Sequence, residues 1–241
     1  MIAGPFCGEL GWELMRWQGH LRYLGAKVVF CEKGHEYLYQ DFAEVYQNEM
    51  VSVVRNKWMP TEEHSYYYIP SKKICEAKHL KQKFIQYGTE GKTGYDVVIH
   101  ARNLGKPHPD WPNEKWLHLQ YALHGCSVAY VGSVHGARAW FSGGEDKRGI
   151  GIEDLCDIMR NSKLFIGESS GPAHLASLCG LSHIVITDRK MWNLGGKKGR
   201  NWTRYTDYWN PLGTPAYILD QDNYDPPVDK VLKAIDKNGL L

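Results

Sequence analysis

Phe165–Gly180 reads FIGESSGPAHLASLCG, and it carries the residue types of an anion-binding turn. An apolar run ends at Gly167, and Ser169 and Ser170 then offer two hydroxyls. Gly171 lets backbone approach a ligand closely. Pro172 suits the first turn of a helix, where its missing N–H costs nothing. The N–H groups and dipole of a helix starting there favour negative charge in front of it, phosphate above all. His174, in that first turn, can offer a ring N–H to a phosphate oxygen. The same residues also suit an ordinary strand–loop–helix turn with a capping serine and a packed histidine.

Such a turn needs a sheet behind it, and the second half of the chain supplies the pattern. DVVIHA (96–101), SVAYVG (127–132), KLFIG (163–167), SHIVIT (182–187) and PAYIL (215–219) read as strands. Between and after them, WPNEKWLHLQYALHG (111–125), IEDLCDIMRN (152–161), PAHLASLCG (172–180) and PVDKVLKAI (227–235) read as helices. Asp110 is the expected N-cap of the first, Gly125 its stop, and Ile152, Leu155, Cys156 and Met159 share one face of the second. Nearly all-apolar strands alternating with helices predict a parallel sheet covered on both faces. Ligands bind at the carboxyl ends of such strands. Those ends carry Arg102 and Asn103, then Ser133, then Glu168–Gly171, then Asp188 and Arg189.

The first half is patterned similarly but less regularly. MIAGP reads as a strand, LGWELMRWQGHLRYLG (10–25) as a helix stopped by Gly25, AKVVFCE (26–32) as a strand and HEYLYQDFAEVYQN (35–48) as a helix. MVSVVRN (50–56) and SYYYIP (65–70) read as short strands. QYGTEGKTGYD (86–96), with three glycines, is the expected linker between two α/β halves.

Composition narrows the class. With 241 residues, 43% hydrophobic and 23% charged, the chain is an ordinary globular protein of one large or two small domains. No run approaches the roughly 20 apolar residues of a membrane span. The start lacks the basic and apolar regions of a signal peptide, and the six cysteines form no CxxC pair. A cytoplasmic protein with reduced thiols is the expectation, so the formal sequon at Asn201–Thr203 carries no weight. The histidines lack metal-ligand spacing. Asp220-Gln221-Asp222, a D-x-D, follows the last strand and reads as a solvated turn.

Phe165–Gly180 resembles the stretch of the heptosyltransferase family (glycosyltransferase family 9, GT-B fold) that runs roughly G-x-D-S-G-P-x-H-x-A. DWPNEKWLHL (110–119) and GIEDLCDIMRNSKLFIG (151–167) are similar to two further segments of that family, and GPFCGELGWELMRWQGHLRYL (4–24) stands where the family has its Gly-Asp loop. The resemblance implies two Rossmann-like parallel-sheet domains facing across a cleft. The N-terminal one (1–90) is reduced and acceptor-side, and the C-terminal one (95–241) binds a nucleotide-sugar. It implies metal-independent, inverting glycosyl transfer to a hydroxyl acceptor, with no cofactor. The diphosphate falls to Ser170, Gly171 and His174, with Ser169 and Pro172 in the same binding turn, Arg102 pairing to a phosphate oxygen, and Ser133 and Glu153 on the nucleoside side. The family aspartate of the turn maps onto Ser169, with Glu168 one place early. The Gly-Asp pair becomes Gly8-Glu9, which makes Glu9 the expected base that takes the acceptor hydroxyl's proton, with Glu13 as runner-up.

RKMWNLGGKKGRNWTRY (189–205) holds six Lys/Arg, no acid and two tryptophans up to Arg204. It reads as a solvated loop, as a flap bringing Arg189 and Lys190 to the diphosphate, or as a holder for an anionic acceptor. The acceptor stays open between a glycan, a lipid-linked glycan and nucleic acid. So do the rival classes: a sugar-nucleotide epimerase or hydrolase, a non-catalytic sugar-nucleotide-binding protein, and a viral nucleic-acid-modifying sugar transferase.

Overall fold

The computed structural model describes the chain except residues 48–66, 68, 70–72, 75–79, 106–108, 141–142 and 195–196; side chains of 192–194 and 197 are also left aside. The expected strands at 50–56 and 65–70 lie largely outside the described residues. The chain divides into two compact units, 1–85 with 193–198, and 86–192 with 199–241. Among the described residues no helix is long and apolar enough to cross a membrane.

The first unit is built on a parallel sheet ordered β1 (Ile2–Ala3), β2 (Val28–Cys31), β3 (Glu44–Gln47). Helix α1 covers 10–24: an α-turn Leu10–Trp12, a π-turn Glu13–Trp17 and α-helix Gln18–Leu24. Gly25 stops it at φ 67°, a left-handed conformation that glycine adopts without a Cβ clash. Leu14, Met15, Trp17 and Leu21 are buried, and Trp17 stacks on Tyr67 at 6.0 Å. The segment 35–48 departs from its helical expectation. It makes one 3₁₀ turn, Glu36–Leu38, and then β3, registered Val28↔Glu44 on β2. Tertiary partners decide this: Asp41 accepts two bonds from the buried Arg22 guanidinium (2.9 Å each), and Tyr39 turns inward.

The second unit holds a larger sheet made of β4 (Val97–Arg102), β5 (Val128–Tyr130), β7 (Glu145–Asp146), β8 (Leu164–Glu168), β9 (His183–Ile186) and β12 (Ala216–Leu219). Their order is β12-β9-β8-β4-β5-β7, all parallel; β6 (Ala137–Arg138) adds antiparallel to β4. Helices α2 (Asn113–Ala122) and α6 (Val228–Asn238) pack together. They bury Trp116, Leu119, Val231 and Ile235 against Val97, Ile99, Leu164, Ile166, Ile184 and Ile186. Helix α3 (Ile152–Arg160) packs on α4 (Gly171–Cys179), which covers β8 and β9. Ile152, Leu155, Cys156 and Met159 form the buried face of α3, as their spacing predicts.

Two expectations change here. The glycine-rich 86–96 segment is strapped onto its unit rather than left as a free connection. Tyr87 N–H reaches Leu178 O, Thr89 N–H reaches Asp157, Gly91 N–H reaches Asn161 and Tyr95 N–H reaches Ser162. A Cβ on Gly94 would sit 1.8 Å from Asn161 O, so this glycine serves close approach. The described residues of the basic-aromatic 189–205 segment are likewise not a plain loop. They include a two-stranded sheet, β10 (Met191–Leu194) with β11 (Lys197–Arg200), and lead into a helical stretch α5 over 201–208 that ends in a π-turn, Arg204–Tyr208.

Candidate functional site

Because all the main strands of the second unit run parallel, their carboxyl ends lie on one side of the sheet. β8 is central, and the turn that follows it, Glu168-Ser169-Ser170, delivers the chain into α4. Ser169, Ser170, Gly171 and Pro172 are half-buried, while α4 from Ala173 to Cys179 is buried. Ser170 is the N-cap in extended geometry (φ −166°, ψ 173°), with Pro172 in the first turn. Its hydroxyl donates to Glu168 O at 2.8 Å instead of capping the helix. The first N–H groups of a helix lack intrahelical partners and point outward along the dipole. This mouth can therefore hold an anion.

A brace lies behind it. Glu168, fully buried, accepts Arg102 N–H on one carboxylate oxygen (2.8 Å) and Trp111 N–H on the other (3.0 Å). Burial pushes its carboxyl up to about 7, against the pull of those two N–H bonds and of the Arg102 charge. Arg102 is itself 7% exposed. Its guanidinium donates to Asp110 (3.0 Å), to Ser169 O (3.0 Å) and to Pro109 O, and lies over the Tyr224 ring at 4.9 Å. Tyr224 and Asn223 take positive φ (65° and 49°), costly for residues with a side chain, and this seats the Tyr224 ring there. Arg102 thus fixes the backbone of the turn and does not offer an open cation. Asp110, expected as an N-cap, instead accepts from Leu104 and Gly105 N–H and pairs with Arg102, while Pro112 takes the cap position of α2.

His174 also departs from its expected phosphate contact. It is 1% exposed, its ring lies parallel to Tyr205 at 4.5 Å, and Trp209 stands edge-on at 4.6 Å. Arg204 lies over the Trp209 ring at 3.9 Å. Burial first, and then the Arg204 charge, hold the imidazole pKa well below its usual value and keep the ring neutral. Among the described residues neither ring nitrogen has a hydrogen-bond partner. The ring is a packed platform for Tyr205. Tyr205 in turn reaches the turn itself: its hydroxyl accepts Ser170 N–H at 3.1 Å and donates to Ser169 Oγ at 2.8 Å. No reading of the sequence singled out Tyr205, Trp209 or Tyr224. The only signal was the density of aromatics and cations before Tyr205.

The remaining second-unit candidates are exposed. Ser133 is exposed after β5, its Oγ accepting Gly136 N–H at 3.0 Å. Glu153 is exposed in the first turn of α3, and Arg189 is exposed after β9, 3.9 Å from Asp220. Asn201, fully buried, ties the chain just after β11 to Thr187 (2.8 Å) and Asp188 (2.7 Å).

In the first unit the two candidate carboxylates differ sharply. Gly8 is half-buried. Glu9 is exposed at the N-cap of α1, where its carbonyl accepts Trp12 and Glu13 N–H and its side chain makes no cap bond. Glu13, in contrast, is 2% exposed, with both oxygens engaged: His35 Nδ1 at 2.7 Å and Tyr39 Oη at 2.5 Å. Burial lowers the His35 pKa, but the charge and hydrogen bond of Glu13, then Glu32 and Glu36, outweigh it and hold His35 at about 9. Glu13 is the counter-ion of an imidazolium.

No protein-family model and no curated protein matches the sequence. Solved structures do. The ADP-heptose lipopolysaccharide heptosyltransferase II of E. coli is 11% identical, with 98% of each chain covered and a TM-score of 0.59. A glycosyl transferase family 9 protein of Veillonella parvula is 11% identical over 98% of this chain and 96% of that one, TM-score 0.55. The iron-containing dodecameric glycosyltransferase TibC of enterotoxigenic E. coli is 12% identical over 83% of this chain and 61% of that one, TM-score 0.55. At such identity the likeness is one of architecture, and the chain has the parallel-sheet α/β fold of these heptosyltransferases and family 9 glycosyltransferases.

Proposed function

We propose that this protein is a glycosyltransferase that moves a sugar from a nucleotide-sugar to a hydroxyl acceptor, with inversion and without a metal. The observation that carries the reading is the Ser169–Pro172 mouth of α4, set at the carboxyl end of the central strand in a fold shared with glycosyltransferases. One of those neighbours, TibC, has been solved in complex with ADP-D-beta-D-heptose.

In this reading a C-terminal domain (95–241) binds the donor and an N-terminal domain (1–90) serves the acceptor. The diphosphate rests on the Gly171 backbone, the Ser169 hydroxyl and the open end of α4. Ser170, Arg102 and His174 shape that surface from behind. Ser133 and Glu153 stand on the nucleoside side, and Arg189 adds positive charge. Glu9 takes the proton of the acceptor hydroxyl as its oxygen attacks the anomeric carbon from the face opposite the leaving group. The bond from that carbon to the diphosphate breaks, and the charge gathering on the departing oxygens meets fixed N–H and O–H donors. Glu9 is preferred to Glu13 in this reading because both Glu13 oxygens already have partners, His35 and Tyr39.

The test is a thermal-shift screen with UDP, GDP, ADP, CMP and their sugar conjugates, since a ligand of the folded state raises the melting temperature by mass action. A rise with one nucleotide series, followed by nucleotide release on adding glycan acceptors in EDTA, is the expected result. A flat response to every nucleotide refutes the reading.

A further inference from the structure

Ser169 has its hydrogen-bonding groups assigned one by one. Its N–H donates to Ile186 O at 3.0 Å, its carbonyl accepts from Arg102 at 3.0 Å, and its Oγ accepts the Tyr205 O–H at 2.8 Å. A hydroxyl that accepts on its oxygen keeps its own proton to give. The neighbouring Ser170 has the opposite assignment. Its O–H donates back to Glu168 O, and its N–H is taken by Tyr205. Of the two serines, Ser169 is the one left with a proton to donate.

Tyr205 sets this polarity from a fixed seat. It is fully buried, with its ring parallel to His174 (interplanar angle 8°). It belongs to the π-turn Arg204–Tyr208, a local irregularity frequent at functional sites. We propose that Tyr205 is a positioning residue for phosphate recognition: by donating to Ser169 Oγ and accepting Ser170 N–H, it turns the Ser169 O–H toward the diphosphate. This rests on the nucleotide-sugar reading above and deepens it. It also gives the basic-aromatic segment a task at the site other than covering it or carrying charge.

The experiment is a double-mutant cycle on the full chain with Tyr205→Phe, Ser169→Ala and both together. Tyr205→Phe keeps the ring on His174 and removes only the hydroxyl. The probes are inorganic pyrophosphate, which has no base or sugar, and ADP and UDP, with affinity read by calorimetry and folding by melting temperature. Each single variant is expected to bind pyrophosphate and the nucleotide about five- to tenfold more weakly. The double variant is expected to bind no more weakly than Ser169→Ala alone, because both changes remove one hydrogen bond. Wild-type affinity in Tyr205→Phe, or losses that multiply in the double variant, overturn the assignment while leaving nucleotide binding intact. Absence of binding by the wild-type protein overturns the nucleotide-sugar reading and the assignment with it.

Discussion

Replacing Glu13 by glutamine tests the charge logic of the first unit. The side chains of Glu13 and His35 are 3% and 19% exposed, and His35 Nδ1 lies 2.7 Å from the carboxylate. The interaction raises the His35 pKa from 6.5 to about 9. A proton bound about 2.5 units more tightly in the folded state is worth about 3 kcal/mol, at about 1.4 kcal/mol per unit. Because the folded value is the higher one, that stability is fully present below pH 6.5 and fades as pH rises through about 9. Glutamine leaves an oxygen for Tyr39 but removes the charge, so burial then governs the ring and its pKa falls to the ordinary value or lower. Urea unfolding of both proteins at pH 6 and pH 10 reads the difference. The variant should be less stable by about 3 kcal/mol at pH 6 and by much less at pH 10. The His35 ring proton in NMR should titrate near 9 in the wild type and below about 7 in the variant. An equal deficit at both pH values, with a wild-type His35 titrating at its ordinary value, would falsify the imidazolium–carboxylate pair.

Three other perturbations separate site from scaffold. If Glu9 is the base of the proposed transfer, Glu9→Gln should cut turnover by about a hundredfold or more while leaving donor affinity unchanged; unaltered turnover removes Glu9 from that role. Glu168→Ala should cost about 2–5 kcal/mol in urea titrations, because the Arg102 and Trp111 N–H groups lose their buried acceptor; a change under about 0.5 kcal/mol rejects the brace. Gly94→Ala should cost about 2–3 kcal/mol from the collision with Asn161 O, against less than about 0.5 kcal/mol for Gly151→Ala, where a Cβ meets nothing within 4 Å. Equal effects at the two glycines would show that the strap moves aside freely.

What the sequence disclosed follows from how local each signal was. The strand–helix alternation after residue 96 was legible because apolar strands buried on both faces read the same in any partnership. The face of α3 was legible because its period is internal to one helix. Residues 35–48 misled because helical spacing competed with pairing to β2 and with the demand of Arg22 for Asp41, neither visible along the chain. The Ser169–Pro172 turn could be found from its own letters. Its contacts could not: Arg102 and His174 looked like exposed donors, and only the fold turns one into a backbone brace and the other into a stacking platform. Tyr205 was hidden for the same reason, since its partners Ser169 and Ser170 lie 36 and 35 residues upstream.

That separation has a consequence for the order in which the protein is made. A nascent chain emerges from its N-terminus at about 5–20 residues per second. The β8 turn and α4 therefore leave the ribosome a few seconds before the aromatic side chains that cover His174 emerge. During that interval an apolar, unshielded helix start is open to chaperones or to wrong partners. A fragment ending near Arg200 would keep this condition permanently and should be captured by chaperones and aggregate, whereas release past Thr214, which reaches back to Ser177 O at 2.7 Å, closes it.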